Sequence, residues 1–117
     1  MILGTGIDII EVKRIADAIN RWGDAFLHHI FTEEEVAYAL KHRFPNQHFA
    51  ARFAAKEAVL KAFGDNAHIR WKDIKIMNDK NGKPVCIYND KNFKNQILIS
   101  ISHTHIYAVA SATITSQ

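Results

Sequence analysis

The sequence predicts an α+β fold in which helices pack on one face of an antiparallel sheet. Three observations carry that prediction. The chain opens on a near-continuous apolar run, ILGTGIDIIEV over Ile2–Val12, whose isoleucines suit a buried strand. Its middle, FAARFAAKEAVLKAFG over Phe49–Gly64, is a proline-free stretch of strong helix formers. After Gly64 the periodicity turns from helical to alternating, with Asn81-Gly82 as a hairpin turn. One strand, a helical block and then hairpins give segregated α and β regions.

Within the first strand, Gly4 and Gly6 flank Thr5 and leave room for another backbone or a ligand to approach. Asp8 shares strand parity with Ile2, Ile10 and Val12, so a carboxylate points where a hydrophobe is expected. On this stretch alone it reads equally as a strand-end cap or a metal ligand. Lys13–Trp22 follows as a short helix with Ile15, Ile19 and Trp22 spaced i, i+4, i+7, ended by Gly23. Its other face carries Lys13, Arg14 and Arg21 around Asp17, a solvated face or a docking patch for an acidic partner. Ala25–Phe31 is apolar apart from His28-His29. Thr32 with Glu35 forms a capping box that starts a helix through Val36, Ala37 and Leu40, and Phe44-Pro45-Asn46 breaks it.

The central helix places Phe49, Phe53, Leu60 and Phe63 on one stripe, with alanine over most of the remaining circumference. Such a helix belongs inside its fold or between its fold and a partner. Gly64 ends it, and Asp65-Asn66 continues as loop. Trp71–Met77 alternates without declaring which side is buried. Pro84–Tyr88 is the return strand, Asn89–Asn95 a polar loop, and Gln96–His103 alternates again. A tight reversal at Thr104-His105 leads into Ile106–Ile114, where Ile106, Ala108, Ala110, Ala112 and Ile114 share a face small enough for a helix to pack close.

A chain of 117 residues, 48% of them hydrophobic, is a single globular domain, residues 1–117. Its formal charge of +3 suits an anionic ligand or acidic partner and falls short of a nucleic-acid tail. One cysteine, Cys86, precludes an internal disulfide and fits a reducing compartment. Apolar runs stay below membrane-spanning length, and the N-terminus lacks the features of a signal peptide, so a cytoplasmic protein is expected.

Four charges, Arg52, Lys56, Glu57 and Lys61, interrupt the alanine-rich helix. They read as two solvated edges joined by a Glu57–Lys61 i,i+4 pair, or as a site. The scarcity of face left to solvate favours a site. Asp8 and Glu57 are the acids most out of place, and a carboxylate pair completed by water and phosphate oxygens suits Mg²⁺. Lys56 and Lys61 beside them would offset charge on a diphosphate. Ser100, Ser102 and His103 lie along a strand without an elbow turn, which argues against a nucleophilic triad. His103 and His105 without a thiolate make an incomplete zinc site.

Three segments, GIDIIEVKRI, FAAKEAVLKAFG and SISHTHIYAVA, resemble the motifs of the small bacterial holo-acyl-carrier-protein synthases, a class of 4′-phosphopantetheinyl transferases. The resemblance runs the length of the chain. It implies a 4′-phosphopantetheinyl transferase-like fold and transfer of the phosphopantetheine arm of coenzyme A to a serine of apo-acyl carrier protein, as in fatty acid biosynthesis. It implies Asp8 and Glu57 as Mg²⁺ ligands and as catalytic groups with Lys61. Coenzyme A would be held by Arg52, Lys56, Lys61, Gly64, His103 and Thr104, with Arg52, His103 and Thr104 near the adenosine 3′-phosphate across a subunit boundary. It further implies Arg14 and Arg21 as docking residues for acyl carrier protein, and a homotrimer with sites between subunits. The proton acceptor stays open among Glu57, Glu35 and a metal-held water. A Mg²⁺-dependent phosphohydrolase and a non-catalytic basic binding module are the rival readings.

Overall fold

The computed structural model describes residues 1–65 and 68–117, so of the loop expected at Asp65-Asn66 the second residue lies outside the described part. Strand β1 (Ile2–Glu11) leads into helices α1 (Val12–Trp22), α2 (Asp24–Ile30), α3 (Glu33–Leu40) and α4 (Pro45–Phe63). A 3₁₀ turn at Trp71–Asp73 precedes strands β2 (Ile74–Asn78), β3 (Pro84–Tyr88), β4 (Gln96–His103) and β5 (Tyr107–Thr115). Among the described residues the strands form two antiparallel sheets, β1-β5-β4 and β2-β3, where one sheet was expected.

The local signals act as their chemistry requires. The Thr32 hydroxyl accepts from the Glu35 N–H at 3.3 Å, and the Glu35 carboxylate accepts from the Thr32 N–H at 2.8 Å, a complete capping box. Pro45, expected as a breaker, opens α4, because a first-turn residue has no intrahelical acceptor for the N–H that proline lacks. Helix α4 therefore starts four residues before Phe49. Gly82 takes the hairpin turn at φ 84°. Ala25–Phe31, read only as apolar, contributes most of α2. Trp22 was placed on the inward stripe of α1, but it sits in the last turn, is 59% exposed, and carries the Arg21 guanidinium 5.0 Å from its ring.

Helix α4 is the interior of the molecule. Ala50, Ala54, Ala55, Ala58 and Val59 are fully buried, and α4 packs on β1, β5 and β4 on one side and on α1, α3 and β2 around it. The sheet meets it with residues as small as its own: Ala108, Ala110 and Ala112 of β5, and Gly4 and Gly6 of β1. A Cβ on Gly6 would fall on the carbonyl oxygen of Ala58, and one on Gly4 on that of Ala62. The backbone anticipated opposite these glycines is that of α4.

Among the described residues only one face of the β1-β5-β4 sheet is covered. Asp8 and Ile10 turn towards α4, whereas Ile7 and Ile9 are 64% and 65% exposed, which corrects the reading of β1 as a strand buried on both faces. In register, Ile7 opposes Ser111 and Ile9 opposes Val109, so these residues share the bare face with the exposed Leu98. Gly6→Ala should lower stability by about 1–3 kcal/mol, the usual cost of forced overpacking, in denaturant unfolding. A neutral result would mean that β1 and α4 can part without loss.

Candidate active site

Strand and helix periodicity together set the site. Asp8 lies on the β1 face that meets α4, two residues beyond Gly6, and its side chain is 16% exposed. Glu57 and Lys61 lie one turn apart on the α4 flank facing β1. The Lys61 ammonium donates to the Ile7 carbonyl at 3.0 Å and to Asp8 Oδ1 at 3.3 Å. Lys61 thus bridges to Asp8, and the Glu57–Lys61 pair of the solvated-edge alternative is not among the ion pairs of the described residues. Burial raises the Glu57 carboxyl above the usual carboxylate range, the Asp8 charge raises it further, and Lys61 opposes both. Two carboxylates from distant parts of the chain therefore share one electrostatic environment, flanked by a half-exposed cation. Beside them a cavity of about 350 Å³ is lined by Thr5, Gly6, Ile7 and Lys61.

Lys56 is not part of this group, contrary to the sequence expectation. At about 100° per residue it points away from Glu57, and it is fully buried. Its ammonium pairs with Glu35 Oε1 at 2.7 Å and donates to the carbonyls of Ile30 at 2.9 Å and Trp71 at 3.0 Å. Burial pulls its pKa below the usual lysine range, against the attraction of Glu35. Glu35 Oε2 accepts from the Ile76 N–H at 2.8 Å. Both oxygens being committed inside the core, Glu35 leaves the set of proton acceptors open to substrate.

Arg52 and His103 line a second pocket, of about 160 Å³, with Tyr38, His48, Asn78 and Pro84. Arg52 is five residues before Glu57, about 140° round the helix, so the two groups address different surfaces of one chain. Its guanidinium lies 3.9 Å from the Tyr38 ring centroid and donates to Asn78 Oδ1 at 2.8 Å. The buried Nε finds no acceptor among the described residues. An orphaned buried donor is expensive, and an anion in the pocket would relieve it. Thr104 follows His103 in the β4–β5 turn, where its hydroxyl accepts from the N–H groups of Ile106 and Tyr107 at 3.1 and 3.0 Å. His103 packs on His48, whereas His105 is bound to Gln47 at 2.6 Å. The two histidines of the HTH run therefore face different partners, and among the described residues no cluster of three His, Cys, Asp or Glu could hold a metal.

Gly64, at φ 90°, is exposed just beyond Lys61. Arg14 and Arg21 are exposed on α1, seven residues apart on one side. A larger cavity, about 630 Å³, opens between β3 and β4 beside Cys86, Tyr88 and Phe93. Burial pushes the Cys86 thiol up to about 12, so it is inert as a nucleophile at neutral pH. Sequence reasoning missed Tyr38, His48 and Asn78. His48 was legible four residues before Arg52 on the same helix face, but the other two reach the pocket only through the fold.

Residues 4–114 match the family model of the 4′-phosphopantetheinyl transferase superfamily, and the chain belongs to that family. The particular relatives it matches are named holo-[acyl-carrier-protein] synthase. That of Protochlamydia amoebophila is 45% identical, over 99% of this chain and 100% of its own length. The crystal structure of the Bacillus anthracis holo-(acyl-carrier-protein) synthase in complex with CoA (3′,5′-ADP) superposes with a TM-score of 0.88 at 37% identity, covering 100% of this chain and 99% of that one. The Helicobacter pylori synthase in complex with coenzyme A gives 0.85 at 26% identity, covering 95% and 99%. Among the described residues no helix is long and apolar enough to cross a membrane.

Glu35→Ala should destabilise the protein by about 3–5 kcal/mol by stranding the Lys56 ammonium. The double change Glu35→Leu with Lys56→Met should recover most of that loss in the same denaturant titration. A deficit below about 1 kcal/mol for the single variant would show that water can replace the pair.

Proposed function

We propose that this chain, acting as a single domain, transfers the 4′-phosphopantetheine group of coenzyme A to a serine hydroxyl of apo-acyl carrier protein, with adenosine 3′,5′-bisphosphate as the second product. The observation that carries the reading is the convergence of Asp8 and Glu57, with Lys61 beside them, in a chain whose relatives bear the name of that activity.

The donor set fits a hard divalent cation. A pair of carboxylates in a partly open site, one of them disfavoured as an anion by burial and by the charge of the other, is the ligand set Mg²⁺ takes when phosphate and water fill its other positions. Asp8 and Glu57 would hold Mg²⁺, which when bound draws charge from the diphosphate. The remaining work falls to the chain. The serine oxygen forms a bond to the phosphorus that bears the pantetheine arm, and the bond from that phosphorus to the bridging oxygen of the bisphosphate breaks. Lys61, half-exposed and with a third N–H to spare, turns to the phosphates and offsets the charge developing on the leaving group. Glu35 is committed in the core to Lys56 and the Ile76 N–H, which leaves Glu57, at the mouth of the site, as the side chain that takes the serine proton.

The orphaned Arg52 Nε, with His103 and Thr104, supports an anion site for the adenosine 3′-phosphate. That site faces away from Glu57 in its own chain, so it would serve the carboxylate pair of a neighbour. The bare face at Ile7, Ile9 and Leu98 is an apolar area of the kind subunit contacts cover, and it supports a homotrimer with shared sites. Exposed Arg14 and Arg21 would dock the acidic carrier protein. Gly64 would let a phosphate approach the backbone. A cytoplasmic enzyme serving fatty acid synthesis completes the reading.

Mass spectrometry of apo-acyl carrier protein after incubation with coenzyme A and Mg²⁺ should show a phosphopantetheine mass gain on one serine. Glu57→Ala or removal of the cation by chelation should cut the rate by about two to three orders of magnitude or more. Rapid bisphosphate release without carrier protein would favour a hydrolase instead. As pH falls through the raised Glu57 pKa, the carboxylate protonates and cation affinity should drop. Arg14→Glu should raise the KM for carrier protein while the assembly still sediments as a trimer; an active monomer would remove the shared-site arrangement.

A further inference from the structure

The Arg52 pocket contains more titratable chemistry than a simple anion site requires. His48, one turn before Arg52 on α4, stacks on His42 at a centroid distance of 3.8 Å and 31° between planes. His103 of β4 meets it edge-on at 5.3 Å, and Tyr38 of α3 does so at 5.8 Å. His42 donates its Nδ1–H to the Tyr38 carbonyl at 2.8 Å, which fixes its ring in the stack. The β2–β3 hairpin adds only the neutral Asn78, Gly82 and Pro84 to this lining, and among the described residues the lining includes no carboxylate. Among the described residues, the ionisable groups that line this pocket with His48 are an imidazole, a phenol and the guanidinium of Arg52.

We propose that His48 is a ligand-gated proton acceptor: a phosphate monoester seated against Arg52 draws a proton from solvent onto the His48 imidazole, which then serves as a further hydrogen-bond donor to the phosphate. This rests on the reading of the pocket as the 3′-phosphate site. The physical reason is the one-sided charge of the pocket. In the free protein a cation at His48 would lie among His42, His103 and Arg52, while Glu35, the carboxylate that acts on Arg52, is already paired with Lys56 in the core. Burial first, and then those three neighbours, lower the His48 pKa to about 4, so the ring is neutral at physiological pH. A phosphate monoester brings about −1.5 to −2 charges and reverses the sign of the local field. Because the bound state then holds the proton more tightly than the free state, affinity rises as pH falls through the bound-state pKa, and the gain ends near pH 4.

The test compares adenosine 3′,5′-bisphosphate with adenosine 5′-phosphate by titration calorimetry in two buffers of different ionisation enthalpy. Wild-type protein should take up more protons with the bisphosphate than His48→Phe does, by up to one per site. Between pH 7.5 and 5.5 its preference for the bisphosphate should strengthen relative to His48→Phe by as much as tenfold per pH unit, the limit for one linked proton. His48→Gln, which keeps a polar side chain, should behave as His48→Phe does and guards against a packing effect of the aromatic replacement. Equal proton uptake in wild type and both variants, with the preference for the 3′-phosphate intact, overturns the role of His48 alone. Equal affinity of the wild type for both nucleotides at every pH overturns the phosphate reading of the pocket and the inference with it.

Discussion

The close approach of β1 to α4 is the constraint from which the rest of the molecule follows. Gly4 and Gly6 present bare backbone to the carbonyls of Ala62 and Ala58, and β5 continues the same surface with Ala108, Ala110 and Ala112. With larger residues at those positions the helix would ride higher over the sheet. Asp8 is two residues along the same face and Glu57 is the neighbour of Ala58 in sequence, so the spacing that packs the core is also the spacing that assembles the carboxylates. Packing and chemistry are one arrangement here.

Helical periodicity gives adjacent charges opposite fates. Lys56 and Glu57 differ by one residue and about 100° of rotation. The first is drawn into the interior, where Glu35 and two carbonyls satisfy its three N–H groups. The second stays at the mouth, where it has the charge of Asp8 to contend with. The buried pair ties α3, α4 and the ends of α2 and the 3₁₀ turn to one point, and Glu35 extends the tie to β2 through Ile76. A buried ion pair of this kind contributes little to net stability relative to apolar packing. It does define how helices of low intrinsic specificity, rich in alanine, sit against one another.

The surfaces left over by this core are where assembly and binding can occur. One sheet face has α4, and the other has the exposed Ile7, Ile9 and Leu98. The carboxylate pair and the Arg52 pocket emerge on different sides of the same helix, which is a geometry suited to sites built from two neighbouring copies.

Much of this was legible in the residues themselves. A near-continuous apolar run marked β1, alternation and alanine content marked α4, β4 and β5, the Thr32–Glu35 spacing marked the start of α3, and Asp8 and Glu57 stood out as acids in apolar surroundings. These are local properties, set by propensity, periodicity and capping, and they need no knowledge of distant neighbours. What the fold alone decided were the matters of direction and pairing: that Lys56 turns inward to Glu35, that Lys61 reaches Asp8, that Trp22 faces solvent, that β1 has a bare side, and that Tyr38 and Asn78 converge on Arg52. A helix with a small hydrophobic asymmetry offers no preferred inward face, so its rotation is chosen by the shapes packed against it. Contacts across 26 to 58 residues of chain are set by that choice, and no local pattern encodes them.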